Sequence, residues 1–219
     1  MGKRMVVVGG VAGGASAAAK AKRENPELEV VVYEKSGWVS YGACGLPYVL
    51  SGEIPRLERL VARTPEEFRK QGVLVHTRHE VVDVDYELRT LTVHDHAEGR
   101  TFQDRFDHLV LATGARPSLP PIPGTEQEGV YTLRTMEDGE RLLLERAREA
   151  LMEAAPLATT ERLTQPLEKG PVAGRSVQEV LRDPDPEILR AFFQAVLENP
   201  ERLAETDVVN PFVNWLLEP

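Results

Sequence analysis

The stretch Val6-Val-Val-Gly-Gly-Val-Ala-Gly-Gly-Ala-Ser-Ala-Ala18 constrains this chain more than any other. An apolar, β-branched run from Met5 to Val8 stops at Gly9-Gly10, the pattern of a strand buried on both faces. Ala12 to Arg23 then holds small, helix-favouring residues with no breaker after Gly14, until Asn25-Pro26 ends the run. Leu28 to Tyr33 is a second β-branched run and closes on Glu34. These first 34 residues predict a β-α-β unit, right-handed by the usual rule. Such a unit commits the chain to a parallel sheet covered by helices, an α/β fold of Rossmann-like type.

The glycines between strand and helix admit two readings. Without side chains, the turn leaves backbone N–H groups open to a pyrophosphate at the positive end of the helix. A tight packing turn between strand and helix would need glycines as well. Gly9-Gly10-Val11-Ala12-Gly13-Gly14 departs from strict G-x-G-x-x-G spacing, because Val11 occupies the middle glycine position. The context favours the nucleotide: a strand precedes, a helix follows, and Glu34 lies 20 residues beyond Gly14, where a carboxylate meets a ribose hydroxyl. The alternative for Glu34 is an exposed acid at a strand end.

Further along, Thr64-Pro65-Glu66-Glu67 predicts a capped helix to about Gln71. Val73 to His76 is a short strand; His79 to Val84 and Leu88 to His94 flank a polar turn and predict an antiparallel ribbon. Phe106 to Ala112 returns to a buried strand and ends in Thr113-Gly114, followed by the rigid connector Pro117 to Gly124. Met136 to Ala155 is a long charged helix, and nothing β-like follows. Ile188 to Leu197 carries an apolar helical stripe, of a kind more often core than a groove for a partner.

Cys44, the one cysteine of the chain, sits in Ser40-Tyr-Gly-Ala-Cys-Gly-Leu-Pro-Tyr48, a turn running into a short helix. A lone cysteine closes no disulfide within its chain, so it is either a small buried hydrophobe or a thiol that reacts with something outside. Gly42 and Gly45 leave space beside it.

Several of these segments together resemble the N-terminal part of the pyridine nucleotide-disulfide oxidoreductases. The similarity spans residues 1 to about 143 and is strongest to the single-cysteine branch, the coenzyme A-disulfide reductases and related NADH oxidases. It rests on VVVGGVAGGASAA, YEK, SYGACGLPY, TPEEF, HEVVDVD and LVLATGARP. The resemblance implies that Gly9, Gly13 and Gly14 hold the FAD pyrophosphate, Glu34 the adenosine ribose, and Thr113 and Gly114 the flavin. It implies that Cys44 is the redox cysteine, alternating between thiolate and mixed disulfide or sulfenic acid. It places Ser16, Lys20, Arg23 and Ser40 where relatives contact coenzyme A disulfide, the expected small-molecule partner. Where some members carry a substrate-contacting asparagine, this chain has Ala43.

The resemblance stops near residue 143. No second strand–glycine–helix unit follows, so the NAD(P)H site expected of full-length members is not found, nor is the later flavin motif ending in Gly-Asp. Residues 1–143 are expected to be a partial FAD-binding domain of a truncated or chimeric family member. Residues 144–219 are expected to be a helical acidic tail; from Leu151 on, 12 acidic side chains face 6 basic ones. A second expectation is a non-enzymatic nucleotide-binding remnant whose tail caps the sheet, binds a partner or forms a homodimer. The formal charge of −9, with no basic stripe, argues against nucleic acid as a partner. No apolar run is long enough to span a bilayer. Lys3-Arg4 and the apolar stretch after it imitate a secretory signal, but four glycines interrupt it; with a single cysteine, the expected location is cytoplasmic. His94 and His96 lack a third ligand nearby, so no metal site is expected.

Overall fold

Strands β1 (Arg4–Val8), β2 (Glu29–Glu34), β3 (Val73–Thr77) and β7 (His108–Leu111) form a wholly parallel sheet in the order β3-β2-β1-β7. The computed structural model describes residues 2–154 together with Arg175, Glu179, Val180, Asp183, Asp185 and Ile188. Two compact units divide the chain, Met1–Met136 and Glu137–Pro219.

Within the first unit, alternation along the strands sorts side chains to two faces. Met5 and Val7 point to one face with Val30, Val32 and Val73, where they pack on Ala15 and Ala18 of α1 (Ala12–Glu24) and Phe68 of α3 (Pro65–Lys70). Val6 and Val31 point to the other face with Tyr33, against Leu91, Val93 and Phe106. Those partners belong to or adjoin an antiparallel sheet of β4 (His79–Asp85), β5 (Thr90–Asp95) and β6 (Arg100–Arg105), in the order β4-β5-β6. Three layers result: helices, parallel sheet, antiparallel sheet. Val6, Val7 and Val31 are fully buried, each stabilising the fold by roughly 1.5–3 kcal/mol of apolar transfer.

Several boundaries differ from the sequence reading. The second ribbon strand starts at Thr90 rather than Leu88, because Arg89 adopts φ 53° and the Asp85 carboxylate accepts from the N–H groups of Glu87 and Leu88. Strand β6 was not anticipated: Arg-Thr-Phe-Gln-Asp-Arg carries a single large apolar residue, Phe102, too few for a pattern. Strand β7 is shorter than Phe106 to Ala112. The helix at Thr64 forms as expected, with a reciprocal capping box between Thr64 and Glu67.

A polar tie joins the two sheets. The Asp104 carboxylate of β6 accepts from the Arg4 guanidinium of β1 at 2.6 Å and from the Tyr33 hydroxyl of β2 at 2.8 Å. Burial and that carboxylate push the Tyr33 phenol well above its ordinary value.

Helix α4 (Met136–Ala154), which lies in the second unit from Glu137 on, carries Arg141–Asp138 and Arg148–Glu145 pairs. The apolar stripe expected beyond Ile188, and with it the dimer or partner surface, lies outside the described residues. Among the described residues, no helix is long and apolar enough to cross a membrane.

Candidate functional site

The connection from β1 through α1 leads to β2 on one side, while β7 lies on the other side of β1. The strand order therefore reverses between β1 and β7, and open α/β sheets bind ligands beyond the carboxyl ends of strands at such a point. The glycine turn follows β1 there, and Thr113-Gly114 lies just past the end of β7.

The structure separates the roles of the glycines. Gly9 has φ 97°, and a methyl group on it would overlap the Ala112 carbonyl, so the turn presses against the end of β7. A methyl group on Gly14 would overlap the carbonyl oxygen of Gly9, which is the close helix–strand approach of the packing reading. Gly13 is exposed, and a methyl there would meet only the Ala112 side chain at 3.9 Å. Gly114, at φ 72°, has nothing within 4 Å of its would-be Cβ. Packing thus explains Gly9 and Gly14, while Gly13 and Gly114 leave open space. The first turn of α1 holds no acidic residue and no capping side chain, so its N–H groups face no competing anion of their own helix. These features fit a dinucleotide pyrophosphate.

Glu34 is not the exposed strand-end acid of the alternative reading; it is 6% exposed. One carboxylate oxygen accepts from the Gly10 N–H at 2.7 Å, the other from the Ser36 N–H at 2.9 Å. Gly10 permits this contact, since a Cβ there would lie 3.2 Å from the Glu34 Cβ and 3.0 Å from Val39. A carboxylate offers about four lone-pair sites, so two hydrogen bonds leave acceptor capacity for a vicinal diol.

The cysteine segment is clamped to the same turn. The Ser40 N–H donates to the Gly10 carbonyl at 2.9 Å, and the Ser40 carbonyl accepts from the Ala62 N–H at 2.7 Å. Ser40 holds φ 50°, a left-handed conformation uncommon for a residue with a side chain. Gly42 donates to the Leu60 carbonyl at 2.9 Å, and the chain then enters a 3₁₀ turn at Ala43–Gly45 and helix α2 (Leu46–Ser51). Cys44 is exposed, which removes the buried-hydrophobe reading. Gly45 makes room for the Leu60 side chain rather than for a ligand, a correction to the sequence reading.

Ser16, Lys20 and Arg23 lie along one exposed face of α1. Lys20 is ion-paired to Glu24 at 2.6 Å, whereas Arg23, among the described residues, makes no ion pair. The structure brings the glycine turn, Glu34, Ser40 and the end of β7 into direct contact; Ser16, Lys20 and Arg23 follow along the helix that leaves the turn. Sequence reasoning missed Ser36, although a serine and glycine after a strand-end acid is a turn signal. His94 and His96 turn to Thr101 and Glu80 respectively, and among the described residues no group of three ligands could hold a metal.

Residues 3–155 match the family described as pyridine nucleotide-disulphide oxidoreductase. The chain belongs to this family. It is 36% identical over 141 residues to an NADH oxidase of Methanocaldococcus jannaschii, covering 64% of this chain and 31% of that protein. It is 34% identical over 140 residues to a coenzyme A disulfide reductase of Staphylococcus epidermidis, covering 64% of the chain and 31% of the relative. Reduced Bacillus anthracis CoADR-RHD superposes with a TM-score of 0.61 at 35% identity, covering 65% of this chain and 26% of that one. The chain therefore spans about a third of the length of these curated relatives.

Proposed function

We propose that this chain provides the FAD-binding and thiol half of a disulfide oxidoreductase acting on coenzyme A disulfide or a related small anionic disulfide. The observation that carries the reading is the clamp of the exposed-thiol segment, through Ser40, onto the glycine turn beside Glu34. In this reading residues 1–143 are the FAD-binding part. Gly9 and Gly14 draw the turn tight through packing and Gly13 leaves the open space for the FAD pyrophosphate, Glu34 accepts from its ribose, and Thr113 and Gly114 border the flavin. Bound FAD would supply two-electron transfer between a nicotinamide and a sulfur.

Cys44 does the chemistry that the chain itself can do. Its thiolate attacks one sulfur of the substrate disulfide; the Cys44–sulfur bond forms as the S–S bond breaks, and coenzyme A leaves as a thiolate. Restoring the Cys44 thiolate takes two electrons, for which NAD(P)H is the proposed donor. Ser16, Lys20, Arg23 and Ser40 are the proposed substrate contacts, with the cations of α1 drawing in coenzyme A phosphates. A reducing, cytoplasmic setting suits a thiol that must return to its reduced state.

The test is incubation of purified, FAD-treated protein with coenzyme A disulfide, followed by intact-mass measurement and an absorbance titration of FAD. One coenzyme A adduct per chain, lost in Cys44→Ser, and a bound flavin are the expected results. FAD binding without any adduct would leave only the nucleotide-binding remnant, and no flavin binding would remove both readings.

A further inference from the structure

Ser36 is bonded in four directions at the end of β2. Its N–H donates to the Glu34 carboxylate at 2.9 Å. Its hydroxyl donates to the Trp38 carbonyl at 2.9 Å and accepts from the Trp38 N–H at 3.1 Å. Its carbonyl accepts from the Arg78 N–H at 2.9 Å, which leads to the start of β4. The hydroxyl closes the turn that aims the Ser36 N–H, and that N–H holds one of the two oxygens of Glu34. The other oxygen is held by the Gly10 N–H at 2.7 Å. A carboxylate pinned at both oxygens cannot rotate, so its remaining lone pairs keep one direction.

We propose that Ser36 is a positioning residue for ribose recognition: by fixing the Glu34 carboxylate between two backbone N–H groups, it presets that carboxylate for the two adjacent hydroxyls of an adenosine diphosphate. The proposal rests on the reading of Glu34 as the ribose acceptor and adds a residue that touches no ligand. Without the hydroxyl the turn at Ser36 to Trp38 loses two hydrogen bonds, and Glu34 gains freedom that binding must then remove.

The test compares two probes by calorimetric titration of the full chain: ADP and 2′,3′-dideoxy-ADP, which has the same diphosphate and base but no diol. Ser36→Ala should weaken ADP about fivefold, the loss expected for one net hydrogen bond, and leave the dideoxy probe unchanged. Ser36→Thr, which retains the hydroxyl, should restore ADP affinity. Equal weakening of both probes would mean that Ser36 only supports the fold of the turn, and no weakening of either would mean that it is idle; each result overturns the proposal. If the unaltered protein itself binds the two probes equally, the ribose role of Glu34 fails and takes the proposal with it.

Discussion

Glu34 and Asp95 are both buried carboxylates, one at the end of the parallel sheet and one at a turn of the antiparallel sheet. Asp95 accepts from the N–H groups of Ala97 and Glu98 and from the Arg100 guanidinium, with the His79 ring 3.6 Å away. Glu34 meets two backbone N–H groups and, among the described residues, no cation. The antiparallel sheet spends its buried charge on closing its own β5–β6 turn. The parallel sheet keeps acceptor capacity beside a glycine turn. The difference teaches that burial alone does not tell the two carboxylates apart; unused hydrogen-bonding capacity does, and it is what suits Glu34 to its proposed role.

The largest test of this contrast uses one glycine from each region. A methyl on Gly14 would overlap backbone, which cannot move without separating α1 from β1. Gly14→Ala should therefore cost roughly 3 kcal/mol or more, read as a lowered urea midpoint. Gly99, in the turn after Asp95, has φ 65° and open space around it, so Gly99→Ala should cost only about 1 kcal/mol of backbone strain. Similar costs at both positions would contradict the packing role assigned to Gly14.

The same division explains what the sequence made legible. The parallel sheet showed itself because strands buried on both faces read as continuous runs such as Val6-Val-Val8 and Val30-Val-Val32. The outer ribbon showed itself only in part: β6 has one face toward solvent and is built from polar residues, with Phe102 as its main packing contact. At the candidate site, residues whose proposed roles depend on side-chain type stood out in the sequence, including Glu34, Cys44 and the glycines. Leu60 and Ala62, which act through backbone contacts, did not, since nothing in their types encodes a hydrogen bond across the fold, and Ser36 showed only as part of a turn signal.

A smaller effect should separate the two carboxylates themselves. Burial alone would raise the Asp95 carboxyl, but the Glu98 and Ala97 N–H groups, His79 and Arg100 outweigh it and hold the carboxyl below the usual range. Asp104 behaves alike: burial opposes, while Arg4 and Tyr33 prevail and keep it low. Depressed carboxylates stabilise the fold above their unfolded value near about pH 4, and that stability disappears as pH falls through the folded values. Thermal melts should therefore drop steeply on acidification below about pH 4. Asp95→Asn should make that drop shallower and lower the neutral-pH melting temperature by several degrees, with ADP affinity unchanged. Glu34→Gln should instead weaken ADP about tenfold, as expected for losing a charged acceptor. A shared phenotype for the two substitutions would erase the distinction between them.

The smallest predicted effect concerns charge on α1. Lys20 is 62% exposed but ion-paired to Glu24 one turn on, so its ammonium must leave that partner to meet a phosphate. Exposed pairs of this kind are worth about 0.5 kcal/mol, so a polyanionic substrate can compete for the lysine. Arg23 lies on the same face, three residues from Lys20. Arg23→Gln should slow formation of the coenzyme A adduct on Cys44 about threefold at low salt, through weaker steering. Glu24→Gln should speed it by a similar factor, because it removes a negative charge and releases Lys20. Both effects should vanish near 1 M salt, where screening reaches about 3 Å, and neither should appear with an uncharged disulfide. Arg105→Gln removes the same charge from an exposed position on β6 and serves as the control from the other sheet. Stopped-flow rates measured across salt concentrations decide the matter: if Arg105→Gln slows the reaction as much as Arg23→Gln, the attraction belongs to net charge alone, and the face of α1 loses its proposed role in binding the substrate.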